Sequence, residues 1–177
     1  MGTYSPTPIM TPDMDARVMK EIIEPTMKGL IADGIPYVGV LFAGLMLTKD
    51  GPKLIEYNSR FGDPETQVML NRFNGDLAAL LMSCAKGSID TKHLSFTSDV
   101  AICVVMAAKG YPAEYEKGSV IRGLDEAAQT EGVSILHAGT AEKDGEIVAN
   151  GGRVLNIVAS ASTIAEARAR AYDAIAK

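Results

Sequence analysis

The sequence predicts a mixed α/β (α+β) fold with mainly antiparallel pairing, arranged in two lobes. Three observations carry that expectation. Four segments repeat apolar residues at helical spacing, and short strand-like runs are interspersed among them. Two Lys-Asp-Gly turns, Lys49–Gly51 and Lys143–Gly145, adjoin strand-like runs, a hairpin signal and therefore an antiparallel one. The length of 177 residues, 47% hydrophobic and 22% charged, suits one medium globular domain or two small ones.

Residues 1–12 are rich in proline, threonine and serine and read as a loop with nothing to build a first strand or helix. Thr11 then reads as an N-cap with Pro12 at the first helical position. Val18, Met19, Ile22, Ile23, Met27, Leu30 and Ile31 follow at helical spacing; Pro25 should kink or split this helix, and Gly34 should end it. Tyr37–Leu47 and Leu54–Asn58 read as paired strands. Asp63 should cap a helix running to about Phe73. Asn74-Gly75 breaks the chain, and Asp76 starts a further helix that Gly87 closes.

A second unit begins near Ser95, giving expected segments 1–93 and 94–177. Val100–Ala107 is a continuous apolar run of the kind that forms a central strand. Further strands are expected at Ser119–Ile121, Val133–Ala138, Glu146–Ala149 and Val154–Ala159. Thr163 and Glu166 have capping-box spacing for a last helix reaching Lys177.

Composition removes several function classes. With a net charge of -5, no basic face advertises itself to nucleic acid or anionic lipid. Cys84 and Cys103 sit in apolar runs and read as two buried free thiols, and with only His93 and His137 beside them no Cys- or His-based zinc site is expected. His137 reads as a core or interface histidine. The longest apolar stretch, Tyr37–Thr48, is short of the roughly 20 residues a bilayer span needs, and the first residues lack a signal-peptide pattern. No membrane role and a cytoplasmic location are expected. Walker A, nucleophile-elbow and dinucleotide fingerprints are not found.

The chemistry concentrates around residues 54–67. In a strand, Glu56, Asn58 and Arg60 point to one face, successive positions roughly 7 Å apart. A carboxylate and a carboxamide oxygen are hard ligands suited to magnesium that keeps sites for water and phosphate. Arg60 beside them suits a phosphate or acyl phosphate. The same alternation is also the ordinary habit of a half-exposed hairpin strand. Phe61 to Gln67 holds a glycine turn entering a helix, where free N–H groups favour anions, although Asp63 and Pro64 are already explained by helix-start chemistry, Thr66 and Gln67 less so. Met1–Pro8 reads as a substrate loop or a ragged terminus, and Asn150–Arg153 as an anion-binding loop or a plain turn.

These stretches resemble the phosphoribosylamine–glycine ligase (glycinamide ribonucleotide synthetase) family. The resemblance rests on residues 1–8, 38–47 and 55–67, then 104–112, 137–140 and 150–155, in that order, and spans essentially the whole chain. It implies the C-terminal lobe of an ATP-grasp domain over 1–93 and the synthetase's small C-terminal α/β domain over 94–177. It further implies a ligase of purine biosynthesis that joins glycine to 5-phosphoribosylamine with ATP through glycyl phosphate. On that resemblance Glu56 and Asn58 hold magnesium or manganese, Arg60 contacts the transferred phosphoryl group or the acyl phosphate, and Met46 lies near the nucleotide base. Gly2, Tyr4, Ser5, Pro6, Asp63, Thr66, Gln67 and Arg153 are expected at the substrates.

Three departures bear on activity. The strand Phe42–Met46 offers no second metal carboxylate, as is usual in this family. The N-terminal domain and nucleotide-gripping lobe expected before this segment do not precede it, and a short basic, aromatic tail expected after Lys177 does not follow. The chain therefore reads as a fragment carrying the magnesium and phosphate half-site, inactive or nearly so alone, since ATP-grasp catalysis closes two lobes over the nucleotide. Apolar faces left by the missing lobes predict self-association. A related ATP-grasp carboxylate–amine ligase and a non-catalytic oligomerising or partner-binding module are the alternatives.

Overall fold

A computed structural model describes residues 1–177. By packing it divides into two compact units. One comprises Met1–Ser5, Asp63–Phe73 and Phe96–Lys177; the other comprises Pro6–Gly62 and Asn74–Ser95.

The first unit is built on a four-stranded antiparallel sheet. In spatial order its strands are β1 (Gly2–Ser5), β4 (Val100–Ala107), β8 (Arg153–Ala161) and β5 (Val133–His137). Helices α3 (Glu65–Arg72) and α6 (Ile164–Ile175) pack on it. Alternation sorts the core. Ala101, Cys103, Val105 and Val158 cluster with Val68 of α3, whereas Leu155, Ile157 and Ala159 cluster with Ala171 and Ala174 of α6. Strand β8 is thus covered on both faces, so its sequence is apolar almost without a break. Asn156 is the buried polar exception, and its Oδ1 takes the Cys103 thiol at 3.8 Å. A hairpin of β6 (Thr140–Lys143) and β7 (Glu146–Ala149) and a short helix α5 (Leu124–Ala128) complete the unit. Asp144 and Gly145 both have positive φ, the backbone a tight hairpin turn demands.

In the second unit, Thr11 caps α1 (Pro12–Val18), its hydroxyl accepting from the Met14 N–H. One π-helical turn, Met19–Ile23, separates α1 from α2 (Glu24–Ala32), which carries Pro25 in its first turn. The proline lacks an N–H, so it stands where none is needed. A hairpin follows, β2 (Phe42–Thr48) paired with β3 (Gly51–Asn58), then α4 (Leu77–Ala85) capped by Asp76. Val18 and Pro52 are the buried apolar side chains of this unit, while Ile31, Ile35, Val38, Met46, Ile55 and Ile89 stand at least half exposed.

Several expectations are corrected. Residues 2–5 form an edge strand: Gly2 lets β1 approach the Cys103 carbonyl so closely that any Cβ would collide with it, so pairing overrides the loop-like composition. The first hairpin strand starts at Phe42, not Tyr37, because Gly39 at φ +141 and the Tyr37 hydroxyl bond to the Val40 carbonyl turn the chain beforehand. Asp63 does not cap α3; Pro64 occupies that position, after a cis peptide bond, and the Asp63 carboxylate is engaged elsewhere. Ser119–Ile121 contributes a single bridge, Val120 with Val148. Thr163 caps α6 as expected, but the Glu166 carboxylate bonds the Ser162 hydroxyl rather than the cap backbone. Cys103 is buried and Cys84 only half-buried; His137 is exposed, its ring 3.0 Å from the Thr140 hydroxyl. No helix is long and apolar enough to cross a membrane.

Candidate functional site

The β2–β3 hairpin presents the first group of residues. Its register places Phe42 opposite Asn58 and Gly44 opposite Glu56, then skips Ile55, so that Leu45 pairs with Leu54. Ile55 is the extra residue of a bulge, 64% exposed, and the bulge re-aims the strand just before Glu56. The Asn58 side-chain N–H donates to Glu56 Oε1 at 2.9 Å. The carboxylate and carboxamide expected on one face therefore meet there. Tyr57 between them is tied to α2, its hydroxyl 2.7 Å from that of Thr26. That anchor fixes the strand from the opposite side. Met46, two residues after Gly44, is 55% exposed and shares the Glu56 side of β2 by alternation. Arg60 is exposed beyond the strand end and donates from Nη1 to the Phe61 carbonyl at 2.9 Å. Pro6 is also exposed and lies in this unit.

The second group belongs to the sheet unit and centres on Asp63. Arg153 grips it twice, Nη2 to Oδ2 at 2.8 Å and Nη1 to the backbone carbonyl at 2.9 Å. Gln67, one turn into α3, donates from Nε2 to Asp63 Oδ1 at 2.9 Å, and its own Oε1 is buried with no hydrogen-bond partner. Thr66 is half-buried on the same helix. The Thr3 hydroxyl of β1 donates to the Pro64 carbonyl at 3.0 Å, joining β1 to the same turn. Gly2, Tyr4 and Ser5 lie on β1, Tyr4 46% exposed. The Arg153 backbone is itself held by Gly139, which donates to the Arg153 carbonyl at 2.8 Å and accepts from Asn150 and Gly151 at 2.7 and 2.9 Å. A Cβ at Gly139 would meet the Arg153 carbonyl at 2.6 Å, so this crossing requires glycine. Beneath the turn, burial first, then the Asp63 and Glu65 charges, push the Cys103 thiol up to about 11.

Sequence reasoning assembled Glu56 with Asn58, and separately named Asp63, Gln67 and Arg153 without foreseeing their contact. It missed Gly44, the Tyr57–Thr26 tie and Arg72. Arg72 donates to the Asp99 and Thr97 carbonyls and to the Ser5 hydroxyl, and so clasps β1. Only the His137–Gly139 and Asn150–Arg153 glycine motifs hinted at the loop crossing that supports Arg153.

Comparison with known proteins gives the lineage. A family model described as phosphoribosylglycinamide synthetase, ATP-grasp (A) domain, matches residues 1–66, and one described as phosphoribosylglycinamide synthetase, C domain, matches residues 101–177. A phosphoribosylamine–glycine ligase of Brucella melitensis is 58% identical over 175 residues, which is 99% of this chain and 41% of that protein. The chloroplastic one of Arabidopsis thaliana is 49% identical over 99% of this chain and 34% of its own length. The chain thus spans about two-fifths, or less, of these relatives. The crystal structure of the Thermotoga maritima phosphoribosylamine–glycine ligase superposes with a TM-score of 0.85 at 35% identity, covering 100% of this chain and 43% of that one. N5-carboxyaminoimidazole ribonucleotide synthetase from Thermotoga maritima shares the fold alone, with a TM-score of 0.62 at 16% identity over 98% of this chain and 43% of that one. With an A-domain match at one end and a C-domain match at the other, the chain belongs to the phosphoribosylglycinamide synthetase family.

Proposed function

We propose that this chain is the magnesium- and phosphate-handling part of an ATP-dependent ligase that joins glycine to 5-phosphoribosylamine. The observation that carries the reading is the convergence of Glu56 and Asn58 on one exposed strand face, within the segment matched by the ATP-grasp model. Two neighbouring oxygen-bearing side chains, one anionic, fit a hard divalent cation that fills its other positions with water and phosphate oxygens. Glu56 and Asn58 would hold magnesium or manganese, which when bound neutralises phosphate charge. The Asn58 side-chain N–H donates to the Glu56 carboxylate, which holds the two side chains side by side.

In the reaction proposed for the whole enzyme, the glycine carboxylate takes the γ-phosphoryl group of ATP, giving glycyl phosphate and ADP. The amine of 5-phosphoribosylamine then attacks the acyl carbon, phosphate leaves, the amine loses a proton, and glycinamide ribonucleotide forms. Arg60 would bind the transferred phosphoryl group, and Met46 would border the nucleotide base. Gly2, Tyr4, Ser5, Pro6, Asp63, Thr66, Gln67 and Arg153 would face the substrates. The Arg153–Asp63 pair supports a shaped turn there, since two of those residues already fix each other. The activity needs the lobes that the longer relatives carry, and a cytoplasmic location is part of the proposal.

Calorimetric titration of this chain with ATP and magnesium, beside Glu56→Ala, tests the half-site. Heat of binding that Glu56→Ala abolishes is the expected result. Ligase activity that appears on supplying the remaining lobes and survives Glu56→Ala would overturn the assignment. The exposed apolar side chains of the Pro6–Gly62 unit favour a second reading, self-association of the isolated chain. Light scattering at rising concentration checks it, and a constant monomer mass sinks it.

A further inference from the structure

Strand β2 faces Glu56 with bare backbone. Gly44 is its register partner, and a Cβ built there would stand 3.2 Å from Glu56 Cγ, closer than carbon atoms ordinarily pack. The side-chain stem of Glu56 therefore lies close against β2 at Gly44, where a Cβ would crowd it. Its φ is outside the left-handed region, so backbone conformation does not explain the glycine; cross-strand clearance does. The bulge at Ile55 acts in the same sense, because it sets which β3 residue meets Gly44. The outcome is the orientation in which Glu56 Oε1 lies 2.9 Å from the Asn58 side chain.

We infer that Gly44 is a positioning residue: the clearance it leaves lets the Glu56 carboxylate turn toward Asn58, and cation affinity depends on glycine at that place. The inference rests on the reading of Glu56 and Asn58 as cation ligands. It requires no contact between Gly44 and the cation. A methyl group at residue 44 forces the Glu56 stem to move by a few tenths of an ångström or to change rotamer, which separates the two ligand side chains.

The test is a titration of the intact chain with Mn2+ alone, followed by paramagnetic broadening of backbone amide resonances in wild type, Gly44→Ala and Ala43→Ser. The last substitution is the control, one residue earlier and on the opposite side of β2. Expected are broadening centred on Glu56 and Asn58 in wild type and a half-point raised roughly tenfold in Gly44→Ala, the scale of losing a ligand-orienting group. Ala43→Ser should leave the half-point in place. A second readout needs no metal: the Asn58 side-chain amide resonance should shift in Gly44→Ala while amide protection along β2 and β3 persists. An intact hairpin with an unchanged half-point overturns the inference. Loss of hairpin protection in Gly44→Ala overturns it too, since glycine would then serve folding. Failure of the cation reading looks different: no broadening centred on Glu56 and Asn58 in the wild-type chain.

Discussion

Removing the Arg72 side chain should release β1, the strand that carries three of the proposed substrate residues. Its guanidinium donates to the Asp99 carbonyl at 2.7 Å, to the Ser5 hydroxyl at 2.7 Å and to the Thr97 carbonyl at 3.1 Å. It also lies 5.8 Å from the centroid of the Phe96 ring. Three hydrogen bonds at about 1 kcal/mol each and a cation–π contact of about 0.5 kcal/mol sum to roughly 3.5 kcal/mol. Water reaches part of this cluster and would serve the abandoned carbonyls, so about 2 kcal/mol is the expected loss in Arg72→Ala. Hydrogen exchange of the 1–5 and 96–105 peptides reads it directly, as about thirtyfold faster exchange at 1.4 kcal/mol per factor of ten. Arg72→Lys keeps the charge but not the three-way fork, and should fall between. Arg72→Ala exchanging within twofold of wild type would refute the reasoning, because β1 would then be held by its ladder with β4 and the Thr3–Pro64 bond without help from Arg72.

Cys103 gives a pH-dependent test. Its thiol is raised from 9.0 to about 11 by burial, so the unfolded chain gives up its proton first. The stability it contributes is complete below about 9 and is lost as pH rises toward about 11. Urea midpoints across that range should fall, and Cys103→Ala should flatten the trend. Thr163→Ala should lower stability by about 1 kcal/mol by removing the α6 cap, measurable as a lower urea midpoint, with Thr163→Ser restoring it. Arg153→Ala breaks a pair whose side chains are 34% and 47% exposed, so global stability should change by less than about 1 kcal/mol. Its signature should instead be local, as changed NMR shifts of Asp63 and Gln67; unchanged shifts would mean the pair does not hold the turn.

The elements most legible in the sequence are those whose local chemistry and tertiary environment agree. Thr11-Pro12, Asp76 and Thr163 announce helix starts with side chains that do accept the expected N–H bonds. The Val100–Ala107 run reads as central because both of its faces are covered, and it lies between β1 and β8. Legibility fails where the deciding partner is remote in sequence. Within Met1–Ser5 only Thr3 and Tyr4 lean toward a strand; the β4 edge and the bare Gly2 backbone make it one. Asp63 has every local mark of a cap, yet Arg153, 90 residues away, takes its carboxylate.

The same division explains the candidate site. Glu56 and Asn58 are two residues apart on one strand, so the pleat alone brings them together and the pairing could be read from spacing. What orients them could not. The clearance comes from Gly44 across a turn, the aim from a bulge visible only in the register, and the anchor from a Tyr57–Thr26 bond between strand and helix. Each is a contact with a second element, invisible to any window of one strand. Residue type marks where a ligand set can exist, and the neighbouring element decides where its oxygens point. Substitutions at Gly44 or Thr26 should therefore disturb cation binding while leaving every ligand residue in place. A site whose affinity changed only with Glu56 and Asn58 themselves would count against that division of labour.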